Sequence, residues 1–158
     1  MLAGRKQNFK QKFMNQNKQK ILDFIKEHKL AVVSSVKEDQ PQAAVVGFSE
    51  NDQFQLFIGT DKTSRKARNI STNPNIALVI GWDHGATVQI EGVAKEVDIK
   101  DRKEVEQNHI AKNPMSVKYA GDTNQTYIAI TPKWARYTDL KKDPNEIIEV
   151  TFDYKALL

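Results

Sequence analysis

The spacing of apolar residues changes character at residue 30 and again several times after it. Before that point it is helical. Asn15 or Asn17 can cap a helix running to about Lys29, in which Ile21, Leu22, Phe24 and Ile25 make one apolar stripe and Lys18, Lys20, Lys26 and Glu27 lie outside it. Residues 30–36 are apolar and β-branched and predict a strand. A polar turn over 37–41 leads to a second strand at 43–48. The hairpin loop 49–53, with Asn51-Asp52 inside it, leads to a third strand at 54–60. Thr63 and Ser64 then open a short helix through about Ser71, which Thr72-Asn73-Pro74 terminates because proline disfavours helix before it.

The second half returns to the two-residue period. Residues 76–82 predict a fourth strand, Asp83-His84-Gly85 a turn, and 87–97 a fifth strand with Val88, Ile90 and Gly92 on one phase. Asp98 is placed to cap a charged helix over 99–112, with Val105 and Ile110 inward. Residues 127–131 and 134–140 form a strand pair or one strand broken at Pro132, and 147–152 a last strand. Six to eight antiparallel strands with few helices predict a mainly β fold, a closed or partly closed antiparallel barrel with peripheral helices. Residues 1–15 read as a flexible basic lead and 16–158 as a single domain.

Composition narrows the class. Hydrophobic residues make up 39% and charged residues 28%, which excludes a disordered chain. The apolar runs are strand-length, far from the run of about 20 residues that a membrane helix needs, so no membrane association is expected. No apolar block follows the N-terminal cations, so a secretory signal is not predicted. The absence of cysteine removes disulfides, thiolate catalysis and cysteine-type zinc sites, and the location expected is cytoplasmic. The net charge is +4, and residues 1–20 hold six Lys/Arg and no acid. That segment has no series of aromatic stacking partners and no nucleic-acid motif, so nucleic acid is not an expected partner.

Candidate chemistry concentrates at Gly59-Thr60-Asp61-Lys62-Thr63-Ser64-Arg65-Lys66-Ala67-Arg68-Asn69. This stretch leaves a strand and starts a helix. Helix N-termini carry unsatisfied N–H groups and partial positive charge, so acids belong there. Here Lys62, Arg65, Lys66 and Arg68 stand instead, and the hydroxyls of Thr63 and Ser64 can donate to an oxyanion. The pattern fits a phosphate site or a solvated basic helix face. Elsewhere the histidines at 28, 84 and 109 lack the carboxylate spacing of a metal site, and no nucleophile-elbow motif is present. Trp134 and Tyr137 could close a pocket, and Trp134 could equally take a core or interface role.

Residues 57–97 resemble the core of the pyridoxamine-phosphate-oxidase-like flavin-binding split barrels. Three segments carry the resemblance: Gly59-Thr60 followed by Ser64-Arg65-Lys66; Asn69-Ile70 with Asn73-Pro74 and Ile76-Ala77-Leu78; and Trp82, a turn, then Thr87-Val88-Gln89-Ile90-Glu91-Gly92-Val93-Ala94. The resemblance implies a split-barrel homodimer with FMN at the subunit interface. It implies that Arg65 and Lys66 bind the flavin phosphate with help from Ser64, and that Thr60 lies under the ribityl chain or ring edge. Ala44, Val45 and Val46 would offer backbone groups to the ring, and Thr87 or Gln89 would reach the flavin from the fifth strand. Two departures stand out. Residues 152–158 lack the Arg-x-His-type element that holds substrate in the vitamin-forming oxidases, and residues 108–122 lack the matching Tyr/Arg/Ser spacing. The chain is thus similar to the short, general-stress-protein-type members.

The reading that follows is an FMN-dependent oxidoreductase passing hydride between the flavin and a reduced nicotinamide or small planar substrate. The alternatives are a non-enzymatic flavin binder related to stress, and a barrel that holds haem or a deazaflavin. Haem would need a free axial histidine, for which His84 and His109 are the candidates.

Overall fold

Alternating side chains give each strand one core face and one outer face, and the backbone register then decides how the sheet closes. The computed structural model describes the backbone of residues 2–157 and the side chains of residues 14–155. In chain order it comprises helix α1 (Leu2–Glu27), strands β1 (Leu30–Lys37), β2 (Gln40–Glu50) and β3 (Leu56–Asp61), and helix α2 (Arg65–Thr72). Strands β4 (Asn75–Ile80) and β5 (Ala86–Glu96), helix α3 (Arg102–Lys112) and a 3-10 turn (Pro114–Tyr119) follow, then strands β6 (Gln125–Asp139) and β7 (Glu146–Thr151). The strands run in the order β3-β2-β1-β4-β5-β6-β7, and β6 also pairs with β3. This closes a six-stranded antiparallel barrel with β7 outside it.

Closure depends on the length of β6. Its first half, Gln125 to Ile130, pairs with β3; its second half, Trp134 to Asp139, pairs with β7; its other edge follows β5 from Ile128 to Asp139. The two halves are one strand, bent where the register slips between Glu91 and Gly92 opposite Pro132. Proline has no amide hydrogen to give the ladder, so an irregularity belongs there. A Cβ at Gly92 would lie 2.5 Å from the Thr131 carbonyl oxygen, so only glycine lets the two backbones approach.

The barrel interior is filled by one phase of each strand, including Val33, Phe48, Ile58, Leu78, Ile90 and Ile130. The phase expected for Val88, Ile90 and Gly92 is the buried one. From α1, Ile21, Leu22 and Ile25 join this core, and Phe24 packs edge-on against Tyr137 at 5.4 Å. Tyr137 is therefore a core residue, its hydroxyl bonded to Asp139.

Several boundaries differ from the sequence expectation. α1 begins at Leu2 and not at Asn15 or Asn17, so the described backbone of the expected lead is helical. After Gly4 that segment has no glycine or proline and is rich in Lys and Gln, which are good helix formers. β3 begins at Leu56 because the Asn51 side-chain oxygen accepts the amides of Gln53 and Gln55, winding a turn in which Phe54 takes φ 67°. β4 ends before Trp82 because Gly81 turns with φ 65°, leaving Trp82 exposed. α3 begins at Arg102, after Asp101, whose side chain makes no capping bond; the Asp98 carbonyl accepts the amides of Asp101 and Arg102, and Ile99 is exposed.

α3 is anchored by polar contacts that its charged sequence did not suggest. Lys112 pairs with Glu50 and lies 4.2 Å above the Phe48 ring. Asn113 donates to the Phe48 carbonyl at 2.8 Å. His109, expected on the charged helix and named as a free histidine, is only 4% exposed. Its Nδ1 lies 3.3 Å from the Ser49 hydroxyl, and its ring meets Tyr127 at 5.5 Å. It is not a free axial ligand.

Two outcomes follow from this packing. Gly92→Ala should lower stability to urea by about 1–3 kcal/mol, since the added carbon meets backbone; an unchanged denaturation midpoint would show that the bend relaxes freely. Burial, and then the Lys112 charge, hold the His109 imidazole below its usual protonation range. The unfolded chain takes up that proton at about pH 6.5, so this contribution to stability is complete above that pH and is lost as pH falls toward the lowered native value. The melting temperature should therefore drop between about pH 7.5 and about pH 5.5 more steeply in the wild type than in His109→Gln, and parallel curves would refute the assignment.

Candidate functional site

A strand has two edges, and β3 spends them unequally. One edge pairs with β6 from Leu56 to Asp61, whereas the other meets β2 only over Leu56 to Ile58. β2 in turn pairs with β3 only from Phe48 to Glu50, so its edge from Gln40 to Gly47 has no strand partner. The first turn of α2 stands at this opening. Between them lies a cleft of about 350 Å³ lined by Val33, Ser35, Pro41, Gln42, Ala43, Ala44, Arg65 and Lys66.

The local sequence explains why the helix starts there. The Asp61 carboxylate accepts the amide and the hydroxyl of Thr63, each at 2.6 Å, which turns the chain out of β3. Those bonds, the hydroxyl first, hold the Asp61 carboxyl below its usual range. Ser64 is the N-cap, accepting from the Ala67 amide at 3.2 Å. Buried Thr60 lies 2.9 Å from the Ser64 hydroxyl and receives Lys66 Nζ at 3.2 Å. The Thr63 hydroxyl, expected as an oxyanion donor, is thus committed to Asp61, and Ser64 is bonded within the loop. The cations are less committed. Arg65 gives its Nε to Gln42 Oε1 at 3.0 Å and keeps both terminal nitrogens. Among the described residues neither Arg65 nor Lys66 enters an ion pair.

Three residues with no role in the sequence reading tie the cleft together: Ser35 and Gln42 line it, and Asn69 stands behind them. Asn69, only 4% exposed, donates to Ser35 at 3.1 Å and to Gln42 at 3.0 Å, tying α2 to β1 and β2. Asn69 belongs to the quoted family-like segment, and an asparagine four residues after Arg65 on a short helix was the available signal. Ser35 and Gln42 reach it from 34 and 27 residues away, and no local pattern marks them.

The remaining predicted residues divide between surfaces. Ala44, Val45 and Val46 pair with Val33, Val32 and Ala31 of β1, and their opposite edge is the unpartnered one. Ala44 lines the cleft, Val46 points into the core, and Val45 is 62% exposed on the outer face. Thr87 and Gln89 lie on β5 and do not line the cleft. Register places Gln89 in one row with Val79, Val32 and Val45, three strand spacings or about 14 Å from Val45. That outer face is apolar over β2, β1 and β4, with Leu30 also half-exposed. His84 is exposed in its turn beside Asp83, and Trp134 is half-buried on β6. Among the described residues no cluster of His, Cys, Asp or Glu could hold a metal, and no helix is long and apolar enough to cross a membrane.

Comparison with known proteins agrees with this geometry. General stress protein 26 of Bacillus subtilis (strain 168) is 32% identical over 98 residues, covering 56% of this chain and 69% of that protein. The crystal structure of the General Stress Protein 26 from Bacillus anthracis str. Sterne matches with a TM-score of 0.63 at 27% identity, covering 84% of this chain and 98% of that one. A heme binding protein from Mycobacterium smegmatis matches with a TM-score of 0.71, over 85% of this chain and 57% of that one, but at 13% identity the likeness is one of fold. The family model described as pyridoxamine 5'-phosphate oxidase matches residues 18–139, most of the chain and the whole barrel from β1 to β6. The chain belongs to the pyridoxamine 5'-phosphate oxidase family of split barrels.

Proposed function

We propose that this protein is an FMN-binding flavoprotein that acts as a flavin-dependent oxidoreductase on a small molecule. The observation that carries this reading is the pair of cations, Arg65 and Lys66, held without carboxylate partners beside an unpaired strand edge. The fit to FMN is chemical. The terminal nitrogens of Arg65 and the Lys66 ammonium suit a phosphate. Ser64 and Thr60 place that lysine, and the free backbone groups of β2 around Ala44, Val45 and Val46 match the polar edge of a flavin ring. When bound, the flavin supplies hydride acceptance and donation, so the protein needs to bind, orient and exclude rather than to provide an acid–base pair. Reduced nicotinamide or a small planar substrate is the proposed reaction partner.

The reading includes a homodimer. Exposed Val45 and Leu30, with half-buried Val32 and Val79 between them, form an apolar face of the kind that marks a protein interface. Thr87 and Gln89 do not line the cleft that Arg65 lines, and the reading assigns them to the flavin of a second copy. The cysteine-free sequence suits a cytoplasmic location. Haem is the weaker reading: no histidine lines the cleft, and His109 is buried.

Replacing Arg65 and Lys66 together with alanine should weaken FMN binding at least about a hundredfold in a fluorescence titration, since two charge-assisted contacts are lost. Unchanged uptake would remove the assignment. Turnover of reduced nicotinamide by the FMN-loaded protein with an electron acceptor separates an oxidoreductase from a flavin store.

A further inference from the structure

The cleft does not end at Arg65. Arg65 and Gln42 also line a second pocket of about 530 Å³, completed by Lys37, Arg68, Asn69 and Thr72. Its charged residues are all cations. The chain has 24 cations and 20 acids, so a surface pocket drawing three of the former and none of the latter is a local departure from a nearly balanced surface. Among the described residues none of Lys37, Arg65 or Arg68 has a carboxylate within ion-pair distance. Like charges gathered in this way repel unless an anion lies between them.

The uncharged residues are arranged to match. Both Arg65 and Asn69 donate to the same Gln42 oxygen, at 3.0 Å each, which fixes the amide and leaves its nitrogen as a donor. Asn69 spends its own amide nitrogen on Ser35 and Gln42, so it positions and does not bind. The donors left over are the Lys37 ammonium, the Arg68 guanidinium, the terminal nitrogens of Arg65 and the Gln42 amide. That set recognises an oxyanion of the phosphate class.

We propose that this pocket is a second oxyanion site, adjoining the flavin phosphate and sharing Arg65 with it, so that the ligand assembly carries a second phosphate next to the first. The proposal rests on the FMN reading for the identity of the first site. A second phosphate has two sources of the same chemistry: the pyrophosphate of a flavin dinucleotide, or a separate phosphorylated substrate bound beside FMN.

The test titrates the full chain with FMN and with FAD by flavin fluorescence, and with inorganic pyrophosphate by thermal shift in the presence of FMN. The variant is Lys37→Ala with Arg68→Ala, two exposed residues that do not line the first cleft. If the dinucleotide is the source, the variant should lose about tenfold or more in FAD affinity while FMN affinity changes less than about twofold. If a separate ligand is the source, FAD and FMN respond alike, and pyrophosphate raises the melting temperature of the wild type but not of the variant. Equal FAD affinity together with an equal pyrophosphate response in the two proteins would overturn the second site. Failure of the wild type to bind FMN or FAD would instead sink the flavin reading, and a pyrophosphate shift measured without flavin and lost in the variant would leave the oxyanion pocket standing.

Discussion

The structure turns on β6 pairing with β3. That ladder converts a seven-stranded sheet into a barrel, and it determines where the barrel stays open. β3 is held against β6 along its full length, so beyond Ile58 it diverges from β2. An open edge inside a protein exposes unpaired amide and carbonyl groups. Here it is flanked by a helix start, and the result is a cleft with backbone groups on one side and cations on the other. The cleft is a consequence of closing the barrel, not an addition to it.

The same constraint explains the glycines that matter. Gly92 allows β5 and β6 to stay in contact through the bend at Pro132, without which β6 could not serve β3 and β7 in turn. Gly59 leaves room on the outer side of β3 for neighbouring side chains: a Cβ there would come within 2.8 Å of Gln125 Nε2 and 3.2 Å of the Tyr127 ring. His109 and Tyr127 meet beside this gap, so α3 lies close on the closing ladder. Burial of a neutral histidine and of the Glu50–Lys112 pair then ties stability to protonation in a region that also holds Asn113 against β2. Removing one partner of such a pair costs more than the pair itself contributes, because the remaining charge is left dry.

The strands were legible because alternation is a local property. Val88, Ile90 and Gly92 announce their phase within five residues, and Ser64 announces a helix start through its own side chain. Arg65 and Lys66 stood out because cations are out of place at that end of a helix. What stayed hidden depends on partners distant in sequence. Ser35, Gln42 and Asn69 acquire a role only when β1, β2 and α2 are brought together, and His109 looks like part of a solvated face until Ser49 and Tyr127 are placed beside it. The committed hydroxyl of Thr63 illustrates the converse. Its availability to an anion was a fair reading of residue type, yet Asp61, two residues earlier, accepts its hydrogen bond.

The electrostatics of α2 support the proposed anion site. The helix opens with Arg65 and Lys66, carries Arg68 one turn on, and has no acid in its first turn. Its capping hydroxyl already satisfies the Ala67 amide. The cations are therefore not compensating a defect of the helix. They are held in place by neutral groups, Thr60 for Lys66 and Gln42 for Arg65, which orient a charge without neutralising it. Carboxylates in those positions would have given the same geometry and closed the site electrostatically. A positive field maintained by uncharged neighbours is what a protein arranges when the counter-charge is to arrive on the ligand.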